Sequence, residues 1–269
     1  MNLHAQETVY LNSDSEITNS KETIIEHAVI HKNENGKGYT IDFFDMNGIL
    51  LRTSQYSKFG KTPDKQILYG KTNYKFFGSA QDSLVCYYRN NLRTGSATFY
   101  YADGKKHVEC AYKQGMLDGL LLQYYPNDSI KREDIYKKGI ATATTIYSEE
   151  GEMLGNSPFY VPPTAPSTDI ATIVKEFAQA IKLPTSIWKK AGVWEAFVEI
   201  TLDAEGKMEK VRVLESNHPG LIKPSIHAAT KVFQSKTFKP ATMDRQPVRS
   251  SIILPVRYRV ESVRVTTPK

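Results

Sequence analysis

The chain has 269 residues, of which 40% are hydrophobic and 11% aromatic, a composition that builds cores and excludes a disordered polymer. No apolar run approaches the roughly 18 residues that a membrane-crossing helix needs. The net charge of +6 is unevenly placed: residues 1–170 hold 18 Lys/Arg and 20 Asp/Glu, residues 171–269 hold 17 and 9, and −2 with +8 gives +6. The basic second half suits an anionic partner or a plain solvated surface. No Lys/Arg cluster interleaves with aromatics as a nucleic-acid site requires, so no nucleic-acid partner is expected.

The opening "MNLHAQ" has neither a basic segment nor an apolar stretch, but Ala5 before Gln6 fits the end of a signal peptide. The alternatives are a leader or anchor trimmed before Met1 and a plain unstructured start. Residues 1–39 are expected to be partly ordered leading strands.

Between residues 40 and 155 the chain repeats every 24 positions. "YRNNLRTG" (88–95), "YKQGMLDG" (112–119) and "YKKGIATA" (136–143) align Tyr88, Tyr112 and Tyr136. Looser copies are "DFFDMNG" (42–48) and "TIYSEEGE" (145–152). Asn47-Gly48 and Asp103-Gly104 are turn dipeptides, because Gly accepts positive φ without steric cost. The Tyr-, Phe-, Val- and Ile-rich stretches between turns suit a pleated surface. Each unit is read as a β-hairpin that must pair with its neighbours into one long single-layer antiparallel meander. Cys86 and Cys110 then occupy equivalent positions with one strand between them, roughly 9–10 Å apart, beyond the ~7 Å reach of a disulfide. Free, buried thiols are predicted. With Tyr112, Gly115 and Gly119 the unit resembles the variant MORN repeat, whose core is Tyr-x-x-Gly-x-x-x-Gly. Asn91 replaces the first Gly in the unit before, and Ala143 the second in the unit after. The resemblance implies an assembly or interaction surface, sometimes at membranes, and no catalysis.

"GNSPFYVPPTAPSTD" (155–169) holds four of the 13 prolines and reads as an extended linker over 156–169. Thr168 or Asp169 can cap a helix whose apolar stripe is Ile170, Ile173, Val174, Phe177 and Ile181. A strand follows with Trp194, Ala196, Val198, Ile200 and Leu202 on one face and Glu195 and Glu199 on the other. "DAEGK" (203–207) turns at Gly206 into a second strand carrying Val211 and Val213. A second helix opens at Pro224 with the stripe Ile226, Ala229 and Phe233. The final strand places Val248, Ser250, Ile252, Leu254, Val256, Tyr258 and Val260 on one face. Pro255 inside that strand argues for a sheet edge, since proline cannot donate to a ladder. The predicted second domain, 170–260, is therefore α+β in the order α-β-β-α-β, with a tail at 261–269.

These residues resemble the C-terminal domain of the TonB family. The resemblance rests on Asp203, Gly206 and Lys207, on "FKPA" (238–241), and on the "QPV…LPV" ending. It implies a periplasmic domain that binds a short peptide of an outer-membrane transporter by strand addition. Carried to this chain, the edge is Val248, Arg249, Ser250, Ser251, Ile252 and Ile253. Leu183-Pro184 stands where the family has Tyr-Pro, as a secondary sub-site. Arg257 and Arg259, with Arg249, are expected to favour anionic sequences. A full transducer adds a membrane helix and a Pro/Lys/Glu-rich spacer, so the expectation is an accessory periplasmic protein or a trimmed anchor, with membrane contact only indirect.

His107, His218 and His227 lack partners at metal spacing, Ser250-Ser251 lacks a nucleophile's context, and Trp188 and Trp194 read as core. The expectation is a non-enzymatic protein with no catalytic residue, cofactor or metal. The alternative is a structural module whose repeat sheet binds the cell wall, a membrane surface or a partner protein. Its C-terminal domain would then self-associate as a homodimer through the last strand.

Overall fold

A computed structural model describes residues 7–165, 170–188 and 191–260, and the chain divides into two compact units at Phe159/Tyr160. The helix cap at Thr168 or Asp169, the tail and the Ala5–Gln6 boundary lie outside the described residues, as do the side chains of Ile170 and Trp188.

In the first unit, β1 (Glu7–Asn12), β2 (Ile24–Lys32), β3 (Tyr39–Asp45), β4 (Leu50–Lys58), β5 (Ile67–Lys75), β6 (Asp82–Arg89), β7 (Leu92–Tyr100), β8 (Lys106–Lys113), β9 (Met116–Leu117), β10 (Gly119–Tyr124), β11 (Ile130–Lys137), β12 (Ile140–Tyr147) and β13 (Met153–Gly155) form one sheet. Consecutive strands pair antiparallel, and β9 and β10 both pair with β8. This is the predicted meander, and it begins at Glu7, upstream of the legible repeats.

Two kinds of turn alternate. Asn90-Asn91 (φ 52 and 64°), Gln114-Gly115 (51 and 82°) and Lys138-Gly139 (51 and 82°) are left-handed at both positions, the signature of primed hairpin turns. Asn91 therefore keeps the conformation of the glycine it replaces, which Asn tolerates better than other side chains. Its Oδ1 also accepts from Leu68 N–H at 2.7 Å and its Nδ2 donates to the Gln66 carbonyl at 3.1 Å, both in the preceding unit. The Asn47-Gly48 and Asp103-Gly104 turns are wider, with only the Gly left-handed and the loop closed by bonds such as Tyr101 N–H to Lys105 O at 2.8 Å. Successive units are joined with the same period. Gly115 N–H donates to Arg93 O at 2.9 Å and Gly139 N–H to Leu117 O at 2.7 Å. Tyr101 Oη donates to Tyr124 O at 2.7 Å, and Tyr125 Oη to Tyr147 O at 2.9 Å.

Cys86 and Cys110 both pair with Ala97 from opposite sides, and both thiols are free and buried. Toward the end of the sheet the interior turns polar. Gln123, Arg132, Asp134 and Tyr136 are each at most 2% exposed. Asp134 Oδ2 accepts from Tyr136 Oη at 3.2 Å and from Phe159 N–H at 2.7 Å, and Arg132 donates to Gln123 Oε1 at 3.2 Å and to the Ser157 carbonyl.

The second unit contains β14 (Tyr160–Val161), α1 (Ile170–Ala180), α2 (Thr185–Trp188), β15 (Gly192–Leu202), β16 (Met208–Ser216), α3 (Ile222–Phe233), β17 (Ala241–Met243), β18 (Gln246–Val248) and β19 (Ser250–Val260). Its main sheet has the order β16-β15-β19, and β14-β17-β18 form a small second sheet. The short α2 and the second sheet are additions to the expected element order. Residues 156–161, read as linker, are structured: Phe159 is buried in the first unit, and Tyr160–Val161 pair with Met243 and Thr242 in the second.

Ala196, Val198, Ile200 and Leu202 of β15 pack against Ile173, Phe177 and Ile181 from α1 and its end and against Ala228, Ala229, Val232 and Phe233 of α3. Burial of each large side chain contributes roughly 1.5–3 kcal/mol. Val174, expected in the α1 stripe, is 44% exposed. The helix's inward arc is narrow, and Ile173 and Phe177 fill it. Pro224 sits in the first turn of α3, where its missing N–H costs no helix bond.

Candidate functional site

The site is built on the three-stranded sheet. Along β19, Ile252, Leu254, Val256, Tyr258 and Val260 pack on or into the core, while Ser251, Pro255, Arg257 and Arg259 are exposed. Burial pushes the Tyr258 phenol up to about 12. β19 pairs with β15 in an unbroken register from Gly192↔Val260 to Leu202↔Ser250. Among the described residues no strand pairs with its other edge.

The direction of the backbone groups on that edge follows from one contact. Glu195 C=O accepts from Asn217 N–H at 3.0 Å, and Glu195 N–H donates to Asn217 Oδ1 at 2.8 Å, so both groups of Glu195 point toward β16. Backbone direction alternates along a strand, and opposed residues of an antiparallel pair either exchange both bonds or neither. Even-numbered residues of β15 therefore bond to β19, and their even-numbered partners Ile252, Leu254, Val256 and Tyr258 bond back. Ser251, Ile253, Pro255, Arg257 and Arg259 turn their backbone groups to the free edge.

The structure divides the six residues of the predicted edge. Val248 ends β18 and pairs with Ala241 in the small sheet, and Arg249 lies between strands. The left-handed pair Asp244-Arg245 (φ 47 and 69°) makes a tight hairpin of β17 and β18, which detaches Val248 from the last strand. Ser250, Ser251, Ile252 and Ile253 open β19, and of these only Ser251 and Ile253 face the free edge.

The cations flanking the edge are largely engaged. Arg249 bonds Glu209, Arg257 bonds Glu195, and on the neighbouring strand Arg212 bonds Glu199. For Arg259 the described residues supply no carboxylate partner. Between these pairs the sheet face is apolar: half-buried Phe197 lies directly opposite exposed Pro255, with half-buried Ile253 on the diagonal. Nothing in the sequence alone signalled these ion pairs; the alternation that puts Glu195 and Glu199 on the outer face was legible, their partners were not.

Two supports fix the frame. Gly206 (φ +82°) closes the β15–β16 turn against the Phe238 carbonyl, and a Cβ there would meet that oxygen at 1.9 Å. Phe238 N–H donates to Gly206 O at 2.9 Å, Asp203 Oδ1 takes the N–H groups of Glu205 and Lys207, and Phe238 stacks on Phe233 at 5.6 Å. The Asp-x-x-Gly-Lys turn and the Phe-Lys-Pro-Ala stretch are thus one structural lock. Leu183 packs against the core, and Pro184 lies beside Gly220 and His218. His218 accepts from Gly220 N–H at 3.0 Å and meets the Trp194 ring edge-on at 4.9 Å, which makes it a loop brace.

Residues 195–260 match the family model for the Gram-negative bacterial TonB protein C-terminal. The TonB match starts within β15, ends with β19, and includes β16, α3 and the Gly206–Phe238 lock. The repeat sheet lies outside it. No curated protein matches the chain.

Proposed function

We propose that the chain is a non-enzymatic TonB-like protein of the Gram-negative envelope, working in the periplasm. Its last strand binds an extended segment of an outer-membrane transporter or another envelope protein by strand addition. The observation that carries the reading is β19, eleven residues long and, among the described residues, paired on one side only. An edge of that length is a liability unless it is guarded or used. Main-chain bonds supply affinity, and pockets for alternate side chains supply specificity. The repeat sheet, of MORN-variant type, acts as a contact surface.

Because Arg249 and Arg257 already have carboxylates, Arg259 is the cation best placed to favour acidic sequences. Titration of the full chain with short peptides patterned on transporter N-termini, followed by amide shifts, tests the reading. Shifts confined to Ser250–Ile253 and the facing part of β15 support strand addition; shifts confined to the repeat sheet overturn it.

A second reading has its own observation. Leu120 and Ile135 are cross-strand partners, 52% and 51% exposed, and Ile140 on the same face is 63% exposed. Such a cluster marks a contact surface. In that reading the chain is a structural envelope module anchored through its repeats, and β19 closes by pairing with a second copy.

A further inference from the structure

Pro255 lies in the middle of β19 among the residues that face the free edge. Its missing N–H therefore costs the β15–β19 ladder nothing and falls wholly on an incoming strand. The edge is divided into two short donor segments, Ser251 with Ile253 and Arg257 with Arg259. A strand laid across both would leave one of its carbonyls opposite the proline ring without a donor.

The two halves differ in their surroundings. The first lies beside the apolar patch of Phe197, Ile253 and Pro255, bounded by the Arg249–Glu209 and Arg257–Glu195 pairs. A residue added opposite Ile253 puts its side chain on that same face. The second half presents two arginine side chains.

Resting on the strand-addition reading, we propose that Pro255 is a register stop. It confines the partner to about five extended residues, at ~3.4 Å each, paired along Ser251–Ile253. It also prevents end-to-end pairing of β19 with a second copy of the chain. The occupant is an extended segment of a partner protein with an apolar side chain directed at Phe197 and Ile253.

The test uses the full chain, its Pro255→Val variant, and two peptides of about five and about nine residues with alternating Val and Thr. Wild type is expected to bind both peptides within about threefold. Pro255→Val is expected to bind the longer one at least about tenfold tighter, since restored bonds contribute roughly this much, or to sediment as a dimer at micromolar concentration. One proline placement provides the control, because Ile253 falls on the free edge and its replacement removes no ladder bond. Ile253→Pro is expected to abolish binding of both peptides, and undiminished binding in it overturns both readings. A wild type that already gains tenfold with length, or a monomeric Pro255→Val that binds the longer peptide no more tightly than the shorter one, overturns the register stop while leaving strand addition intact. A dimeric Pro255→Val with no peptide bound by either form keeps the stop and overturns the peptide reading. A monomeric variant that binds nothing overturns both.

Discussion

The two units solve the same problem, how to end a β-sheet, in different ways. The repeat sheet is long and periodic, and its turns do the specifying: three primed hairpins 24 residues apart, each sending an N–H back to the preceding unit. Its interior is built partly of tyrosine, thiol and buried charge. The C-terminal unit is short, has an aliphatic core under two helices, and depends on one close approach between a turn and a distant loop. Local chemistry therefore carries the first unit, and a long-range contact carries the second.

Equivalent substitutions should separate them. The largest effect is expected at Gly206→Ala, which adds a Cβ at 1.9 Å from the Phe238 carbonyl in a left-handed residue. A loss of about 3 kcal/mol or more is expected, seen as early melting or proteolysis of residues 160–269 while the repeat sheet persists. Gly151→Ala in the repeat sheet has a similar φ of +89° but open space around it, so it should cost only ~1–2 kcal/mol. Equal losses at the two glycines would show that conformation, not the contact with Phe238, sets the cost.

Next comes the polar interior of the repeat sheet. Asp134→Ala strands the Phe159 N–H and the Tyr136 hydroxyl in a buried site, for a loss on the order of 3 kcal/mol. Urea unfolding should show it in the first unit alone. Asn91→Ala should cost about 2 kcal/mol and Asn91→Gly about half that, because glycine restores the conformation but not the two bonds to Gln66 and Leu68.

Alkaline pH should also separate the units. Burial pushes the Cys110 thiol up to about 12 and raises that of Cys86. The unfolded thiols ionise from about pH 8.5 while the folded ones stay neutral. This contribution is complete below that pH and is lost as pH climbs toward 12. Melting of the first unit should drop between pH 8 and 10, and a Cys86→Ala/Cys110→Ala double variant should flatten that drop. The smallest effect is expected at the surface: Arg249→Ala breaks an exposed pair with Glu209 and should change stability by less than about 1 kcal/mol.

The sequence was most readable where one residue type answers one backbone need. The 24-residue period, the free thiols, the inward faces of β15 and β19, and Pro255 on a sheet edge all follow from steric or hydrogen-bonding rules acting within a few residues. The less readable parts depend on contacts distant in sequence. Val248 looks continuous with the last strand until the Asp244-Arg245 turn folds it onto Ala241. Arg249 and Arg257 look free until Glu209 and Glu195 arrive from other strands. The polar cluster around Arg132 closes only when residues 157–159 return to it.

The central claim is that β19 carries a free edge whose donors belong to its odd-numbered residues. Amide hydrogen exchange of the full chain, read residue by residue along β19, measures this directly. The expected result is fast exchange at Ser251, Ile253, Arg257 and Arg259 and slow exchange at Ile252, Leu254, Val256 and Tyr258, with Ser251 and Ile253 alone becoming protected when peptide is added. Equal protection of odd and even amides without peptide would show that the edge is already covered, and would contradict the claim.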